Sequence, residues 1–243
     1  MKKLLVASAA VAALFAAAPA FAGSGQVDLS YTNVEDEVDV WSLGGAAVTE
    51  VGADWNIQGD ATVHRVDVGG GNINFTDAAL HLFKRNDSYA MGVYVDSSDI
   101  EMASAWGLGV EGQKFFDKAT IAGSIGWNTA ESFGSDMDGW NATLGATFFA
   151  TDNFSIGAGV GYADFDFIDS VTTWDISAEF KPESSPVSFF AGYSNQDVSS
   201  FGGDDVSAWT LGARWNFGGG SLKERDRSGA SMKGGLSLGD LIF

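Results

Sequence analysis

The sequence predicts an all-β fold, an antiparallel up-and-down transmembrane β-barrel of about 12 strands, with roughly 8–14 possible. Three observations lead to this prediction. Apolar residues alternate with small or polar ones, with period two, in runs of roughly ten residues. The connections between the runs alternate between short segments and longer acidic ones. Trp residues lie at the ends of the runs.

Composition excludes several classes of protein. The chain has 243 residues, of which 13 are Lys or Arg and 32 are Asp or Glu, so its net charge is −19. It contains no Cys, so disulfides, thiolate metal sites and Cys nucleophiles are excluded. Nucleic-acid binding requires clustered Lys and Arg, and the acidic balance argues against it.

Residues 1–22 have the features of a secretory signal peptide. Lys2 and Lys3 precede an apolar run from 4 to 18 that is too short to span a bilayer comfortably. Ala20-Phe21-Ala22 supplies a small-x-small cleavage site, so we expect cleavage before Gly23 and export from the cytoplasm. A short N-terminal membrane anchor is the alternative.

Period-two alternation identifies the strands. Trp140, Ala142, Leu144, Ala146 and Phe148, for example, alternate with small or polar neighbours. Such runs predict strands near 25–33, 38–49, 55–67, 73–85, 89–96, 103–114, 119–129, 139–150, 154–163, 171–181, 187–195 and 206–217.

The connections indicate an antiparallel meander. Five of them are short, at 50–54, 86–88, 115–118, 151–153 and 181–186. Longer acidic connections fall at 35–37, 96–101, 131–138, 164–169 and 197–205. The helical segments that a parallel sheet needs as crossovers are not predicted anywhere in the sequence.

The Trp positions distinguish a membrane barrel from a soluble sandwich. Six Trp fall on the apolar face at the strand ends beside the longer connections, and two fall at the opposite ends. Two aromatic girdles that bound an apolar band are typical of a membrane interface, whereas a soluble secreted β-protein would bury its Trp in mid-strand. The predicted girdle residues are Trp41, Trp106, Trp127, Trp140, Trp174 and Trp209 on one side, and Trp55 and Trp215 on the other.

The segment Thr210–Phe217 resembles the last-strand signal of bacterial outer-membrane proteins. Thr210 is followed by Gly212, and the aromatic residues Trp215 and Phe217 lie three and five positions beyond that Gly. The resemblance is to small porin-like barrels of Gram-negative bacteria. It implies location in the cell outer membrane and transient contact with the barrel-assembly machinery. In that family the signal usually ends the chain, whereas here 26 residues follow Phe217.

These observations predict a signal peptide at 1–22, a barrel at 23–217 and a flexible periplasmic tail of unknown role at 218–243. An even strand number places both barrel ends in the periplasm, so the acidic connections face outside. Their carboxylates either keep the loops soluble or bind divalent cations that bridge to lipopolysaccharide, which together with membrane lipid is an expected partner. The oligomeric state is left open.

The inferred inner face predicts a narrow, wet pore. Small residues line one wall from the fifth to the ninth strand, and charged residues line the other. We interpret this as a porin-like barrel for passive, cation-preferring diffusion of ions or small solutes. A closed structural or surface-interaction barrel, with acidic extracellular loops, is the alternative. The candidate lumen-lining or selectivity residues are Asp60, His64, Asp77, His81, Glu111, Asp175, Glu179 and Arg214.

An outer-membrane hydrolase is a second and weaker alternative. Any such site must use His64 or His81, because the chain contains no other His. Both are expected inside the barrel in mid-strand, where a large substrate has poor access. The sequence therefore predicts a protein that is not an enzyme and that needs no cofactor.

Two pairings are predicted inside the barrel. A hairpin turn at Gly70-Gly71 would place Asp60 opposite His81 and His64 opposite Asp77. The two pairs would lie ~13 Å apart along the strands, too far to share a metal, and their titration would weaken cation preference as pH falls. Closure of the barrel would bring Asp28 on the first strand near Arg214 on the last.

Overall fold

A computed structural model describes residues 23–35, 38–52, 54–100, 103–132, 135–166, 168–197 and 205–235. Within these residues the chain forms twelve β-strands followed by one short α-helix. The elements are β1 (Ser24–Val34), β2 (Val38–Val51), β3 (Trp55–Val68), β4 (Gly71–Arg85), β5 (Tyr89–Ile100), β6 (Ala103–Phe115), β7 (Ala119–Ser132), β8 (Ser135–Thr151), β9 (Phe154–Phe165), β10 (Ile168–Phe180), β11 (Val187–Asp197), β12 (Val206–Phe217) and α1 (Leu222–Ser228).

The twelve strands close into one antiparallel ring. Each strand pairs with its neighbours in sequence, and β1 pairs with β12. At this seam Gly25 lies opposite Phe217 and Asp28 lies opposite Arg214. The predicted fold class and strand number are therefore confirmed. No helix in the described part of the chain is long and apolar enough to cross a membrane.

The apolar residues of the alternating pattern lie on the outer face. Leu29, Leu80, Leu144 and Leu211 are 51%, 53%, 57% and 63% exposed. All eight Trp are also exposed on this face, from 39% for Trp140 to 65% for Trp209. So much exposed apolar surface is stable only in contact with lipid, and the aromatic side chains lie at its two edges as predicted.

The strands at the long-connection end are longer than predicted. Asp96 and Asp99, expected in an acidic loop, lie in β5, which continues to Ile100. Only residues 101–102 separate β5 from β6, and 133–134 separate β7 from β8. Residues 166–167 likewise separate β9 from β10, so the prediction of long loops is wrong at these three connections. The polar residues Asp96 and Asp99 made the predicted strand end too early. Backbone pairing does not require an apolar face, so the strand continues through them.

The β3–β4 register differs by two residues from the prediction. The turn is Gly69-Gly70, with φ of 54° and 93°, so Asp60 lies opposite Ala79 instead of His81. Three consecutive Gly at 69–71 allow either turn, because Gly readily adopts positive φ. A shift of two residues keeps the same side chains inside the barrel.

The sequence predicts a flexible periplasmic tail after β12, and in the described residues of this segment the first element is α1. Ser221 caps α1, since its hydroxyl accepts from the Glu224 amide and the Glu224 carboxylate accepts from the Ser221 amide. The chain then continues along the inner wall of the barrel to Gly235. We call residues 221–235 the C-terminal segment. The predicted signal peptide and residues 236–243 lie outside the described residues.

Candidate functional site: the lumen

All eight predicted lumen residues lie on the inner face of the barrel. Six line two cavities, and Glu179 and Arg214 lie nearer the short-turn end beside α1. The larger cavity is lined by Asp60, His64, Asp77 and His81, and the smaller one by Glu111 and Asp175.

Both predicted Asp–His pairs form despite the shifted register. His64 Nε2 lies 3.0 Å from Asp77 Oδ2, and His81 Nε2 lies 2.6 Å from Asp60 Oδ2. The partners are diagonal neighbours across β3 and β4, a spacing that long side chains can bridge. The contacts were therefore predictable from the shared face, although the exact register was not.

His81 is the more constrained of the two. It is 1% exposed, and its Nδ1 lies 2.8 Å from Glu111 Oε1 on β6. An imidazolium could donate to Asp60 and Glu111 at once. The two carboxylates lie on opposite ring nitrogens, so they do not converge on one point. Over the described ranges, no three His, Asp or Glu side chains form a group that could hold a metal ion.

His64 belongs to a Ser–His–Asp arrangement. Ser42 Oγ lies 2.8 Å from His64 Nδ1, Asp77 contacts the other ring nitrogen, and the ring stacks on Phe75 at 4.2 Å. Ser42 is only 8% exposed and pairs with strands on both sides, so its backbone amide is not free to form an oxyanion hole. The three residues link β2, β3 and β4 across the wall.

The predicted seam contact is confirmed, and it belongs to a larger cluster. Arg214 Nε lies 3.6 Å from Asp28 Oδ1, while Arg214 Nη1 lies 2.8 Å from Glu179 Oε2. Arg225 of α1 donates to both Glu179 oxygens, at 2.7 and 2.6 Å, and to Asn216. Glu179 therefore bridges the last strand and the C-terminal segment.

Backbone groups of the C-terminal segment bond to side chains of the wall. Gln58 donates to the Met232 carbonyl at 2.8 Å and accepts from the Met232 amide at 3.1 Å. Glu111 accepts from the Gly234 amide at 2.8 Å. Arg85 and Gln113 donate to the carbonyls of Gly229 and Ser231.

A small apolar cluster anchors the same segment. Phe83 is fully buried and Phe115 is 5% exposed, and with Val48 they surround Ala230 and Met232. These wall residues face inward near the short-turn ends of their strands. The short-turn half of the lumen is therefore packed like a protein core, with side chains of the C-terminal segment completing it.

The C-terminal segment divides the remaining space in two. The cavities measure about 540 Å³ and 390 Å³, and residues 232–235 line both of them. Described lining residues include six carboxylates, namely Asp28, Asp60, Asp77, Asp96, Glu111 and Asp175, and a single Lys or Arg, namely Lys233.

The small residues of the Gly-rich wall have two effects. Some make room for a neighbouring side chain, and others leave the space open. A Cβ at Gly109 or Gly126 would collide with the Tyr94 hydroxyl, so these positions make room for a side chain from β5. Gly145 and Gly161 instead line the smaller cavity, where the space stays open.

Asp226 follows Arg225 on α1, and its carboxylate accepts from the Thr120 hydroxyl at 2.5 Å. Burial raises the pKa of the Asp226 carboxyl, and the Thr120 hydrogen bond and nearby Lys233, Arg227 and Arg225 oppose that rise.

Several site residues were missed from the sequence. Gln58, Arg85 and Gln113 matter because the C-terminal segment lies against them, and nothing in their own strands indicates it. One local signal was available. Ser221 followed by Glu224 is a capping box and predicts a helix start at this position.

The comparisons agree with this geometry at the level of fold. No protein-family model matches the sequence, and no curated protein is detectably similar to it. Solved structures do match. A KdgM porin in complex with disordered oligogalacturonate has a TM-score of 0.61 at 10% identity, over 79% of this chain and 99% of that one.

Two further structures share the architecture. A NanC porin has a TM-score of 0.62 at 8% identity, over 78% of this chain and 98% of that one. An outer-membrane channel from Pseudomonas putida F1 has a TM-score of 0.57 at 12% identity, over 80% of this chain and 94% of that one. The chain thus has the fold of small outer-membrane porins, and its exposed apolar band fits that membrane.

Proposed function

We propose that this outer-membrane barrel is a porin-like channel for passive diffusion of ions or small solutes, with a narrow lumen that prefers cations. The observation that carries the cation preference is the charge on the cavity walls. Six carboxylates line the two cavities against one Lys, and fixed charge of one sign in a low-dielectric wall raises the local concentration of counter-ions.

The porin folds found by comparison support the channel, and the pairing of both histidines supports a non-enzymatic lumen. His81 is buried between two carboxylates, and His64 lies beside a Ser without an oxyanion hole. Lipopolysaccharide at the outer rim and the barrel-assembly machinery at the Thr210–Phe217 strand are the partners this function implies.

Planar-bilayer recording tests the proposal. Refolded protein in a KCl gradient is expected to show discrete conductance steps and a reversal potential of the sign set by K⁺. Replacing Asp60→Asn and Asp77→Asn together should move that potential toward zero, because half of the acidic residues of the larger cavity are then neutral. Asp87→Asn, exposed on a short turn outside the lumen, is the matched control.

A closed structural barrel is the second candidate, and the packed short-turn half of the lumen favours it. Absence of steps above baseline in every variant, including one that lacks the C-terminal segment, would replace the channel with this candidate. Steps whose selectivity is the same in the double variant and the native protein would refute the role of these carboxylates.

A further inference from the structure

We infer that the C-terminal segment is a tethered plug that leaves the lumen as a unit while the barrel stays closed, and that the channel conducts in the plug-out state. The inference deepens the proposed function, and its conductance readout rests on it. Five features of the described residues carry the argument.

The tether is suited to movement. Gly218, Gly219 and Gly220 follow β12 directly, with φ of 92°, 81° and 88°. Side chains other than Gly rarely adopt this conformation, so the three positions form a turn that only Gly accommodates easily. Gly also has the widest range of accessible backbone angles, which makes this the point about which the C-terminal segment can swing.

The barrel does not need the plug to close. The β1–β12 seam runs from Gly25 opposite Phe217 to Val34 opposite Ala208, and it ends before the C-terminal segment begins. Backbone pairing around the ring involves strands alone. Departure of the plug therefore breaks no strand pairing.

The two wall carboxylates that hold the plug, and Gln58, keep other partners when it leaves. Glu179 retains Arg214 and the Ser188 hydroxyl, Glu111 retains His81, and Gln58 retains Asp60. A buried charge that loses its partner is strongly destabilising, and here no carboxylate of the wall is left in that state. Opening also removes the Gly229 and Ser231 carbonyls from Arg85 and Gln113, so its cost includes these bonds as well as the apolar contacts of the plug.

The plug is bound mainly through polar contacts and charge complementarity. Arg225 meets Glu179, and Lys233 lines cavities that also hold six carboxylates. Leu222 and Met232, 1% and 3% exposed, are its large apolar anchors. The basic segment occupies the path that cations would take through the acidic lumen. Its positive charge also lowers the preference of the lumen for cations.

The space it occupies is the connection between the two cavities. Since residues 232–235 line both, their removal joins volumes of about 540 Å³ and 390 Å³. The plug-out lumen would be wider, and it would lack Lys233, the single Lys or Arg among the described residues lining the cavities.

A disulfide lock is the most direct test. The chain has no Cys, and Gln113 bonds to Ser231 through both side chain and backbone. Gln113→Cys with Ser231→Cys should hold the plug in when oxidised and release it on reduction. Single-channel conductance should be low in the oxidised protein and rise several-fold with reductant, whereas Gln113→Cys alone should not respond.

Trypsin gives a readout that does not depend on conduction. The C-terminal segment contains Lys223, Arg225, Arg227 and Lys233, and cleavage there reports the plug-out population. Arg225→Ala should raise the cleavage rate roughly ten- to hundredfold, because it removes charge-assisted bonds to Glu179. Lys223→Ala should change it less than about fivefold, since its contacts are exposed and 3.8 Å long.

The outcomes separate the two proposals. Conductance that is equal in the oxidised and reduced double variant, with cleavage unaffected by the lock, would overturn the plug while leaving the channel intact. Lock-dependent cleavage with no conductance in either state would overturn the channel and keep a mobile segment. If the double variant does not fold, as shown by loss of heat-modifiable migration, Arg225→Ala decides the same question.

Discussion

The two halves of the lumen have walls of the same kind and different contents. At the short-turn end, Phe83 and Phe115 pack against Met232 of the C-terminal segment. Toward the other end, Phe75 packs against Val40 and Val66 and stacks on His64, and this smaller cluster borders the larger cavity. An alternating wall therefore does not determine whether a barrel is filled. Whether the lumen is filled depends on a segment from elsewhere in the chain. Here the C-terminal segment fills the short-turn half.

The largest expected effect compares one Phe from each half. Phe83→Ala should lower the free energy of unfolding by about 3–5 kcal/mol, because it leaves a void among packed side chains. Phe75→Ala should cost about 1–3 kcal/mol, since water from the adjoining cavity fills the space. Urea unfolding in lipid vesicles, followed by Trp fluorescence, measures both. Equal losses would mean that the two halves are packed alike.

A second comparison concerns charge. Glu179→Gln should cost about 2–4 kcal/mol, because Arg214 and Arg225 are then left facing each other without their shared carboxylate. Asp28→Asn removes only the 3.6 Å contact at the seam and should cost about 1 kcal/mol or less. The same unfolding assay compares the two losses of unfolding free energy. A larger loss for Asp28→Asn than for Glu179→Gln would mean that the stabilising ion pair is the one at the seam.

The smallest effect concerns Asp226. Its raised pKa in the docked segment means that the charged form is penalised there, so docking strengthens as pH falls through that pKa and weakens as pH rises. Asp226→Asn should remove this pH dependence and change docking by about 1 kcal/mol or less. Hydrogen exchange of α1 at mildly acidic and neutral pH, corrected for intrinsic rates, is the measurement. Stronger docking of the native segment at neutral pH would contradict it.

Sequence alone predicts the wall well. Alternation places the twelve strands and the outward Trp, and Asp28 opposite Arg214 follows from closing the ring. It does not predict the β3–β4 register, because three consecutive Gly permit two turns. His64 nevertheless lies near Asp77, because a shift of two residues leaves both side chains pointing into the barrel.

The plug could not be predicted for a different reason. α1 is seven residues long, too short for a helical period to stand out, and its stability depends on contacts with the wall. Those contacts join residues far apart in sequence, such as Gln58 and Met232. Only the closed ring brings Arg85, Gln113 and Glu179 to face the same segment, so the partner of each appears only once the barrel is assembled.

Glu179 has a consequence for the order of folding. It sits between Arg214, on a strand that must meet β1 from the far end of the chain, and Arg225 of the C-terminal segment. Pairing between such distant strands is slow, because a long loop must close before any contact forms. Since the segment docks on groups contributed by β3, β4, β6 and β10 together, it has a complete receptor only after the ring exists. We therefore expect docking to follow closure of the ring, because an incompletely closed barrel lacks part of the surface that binds the segment.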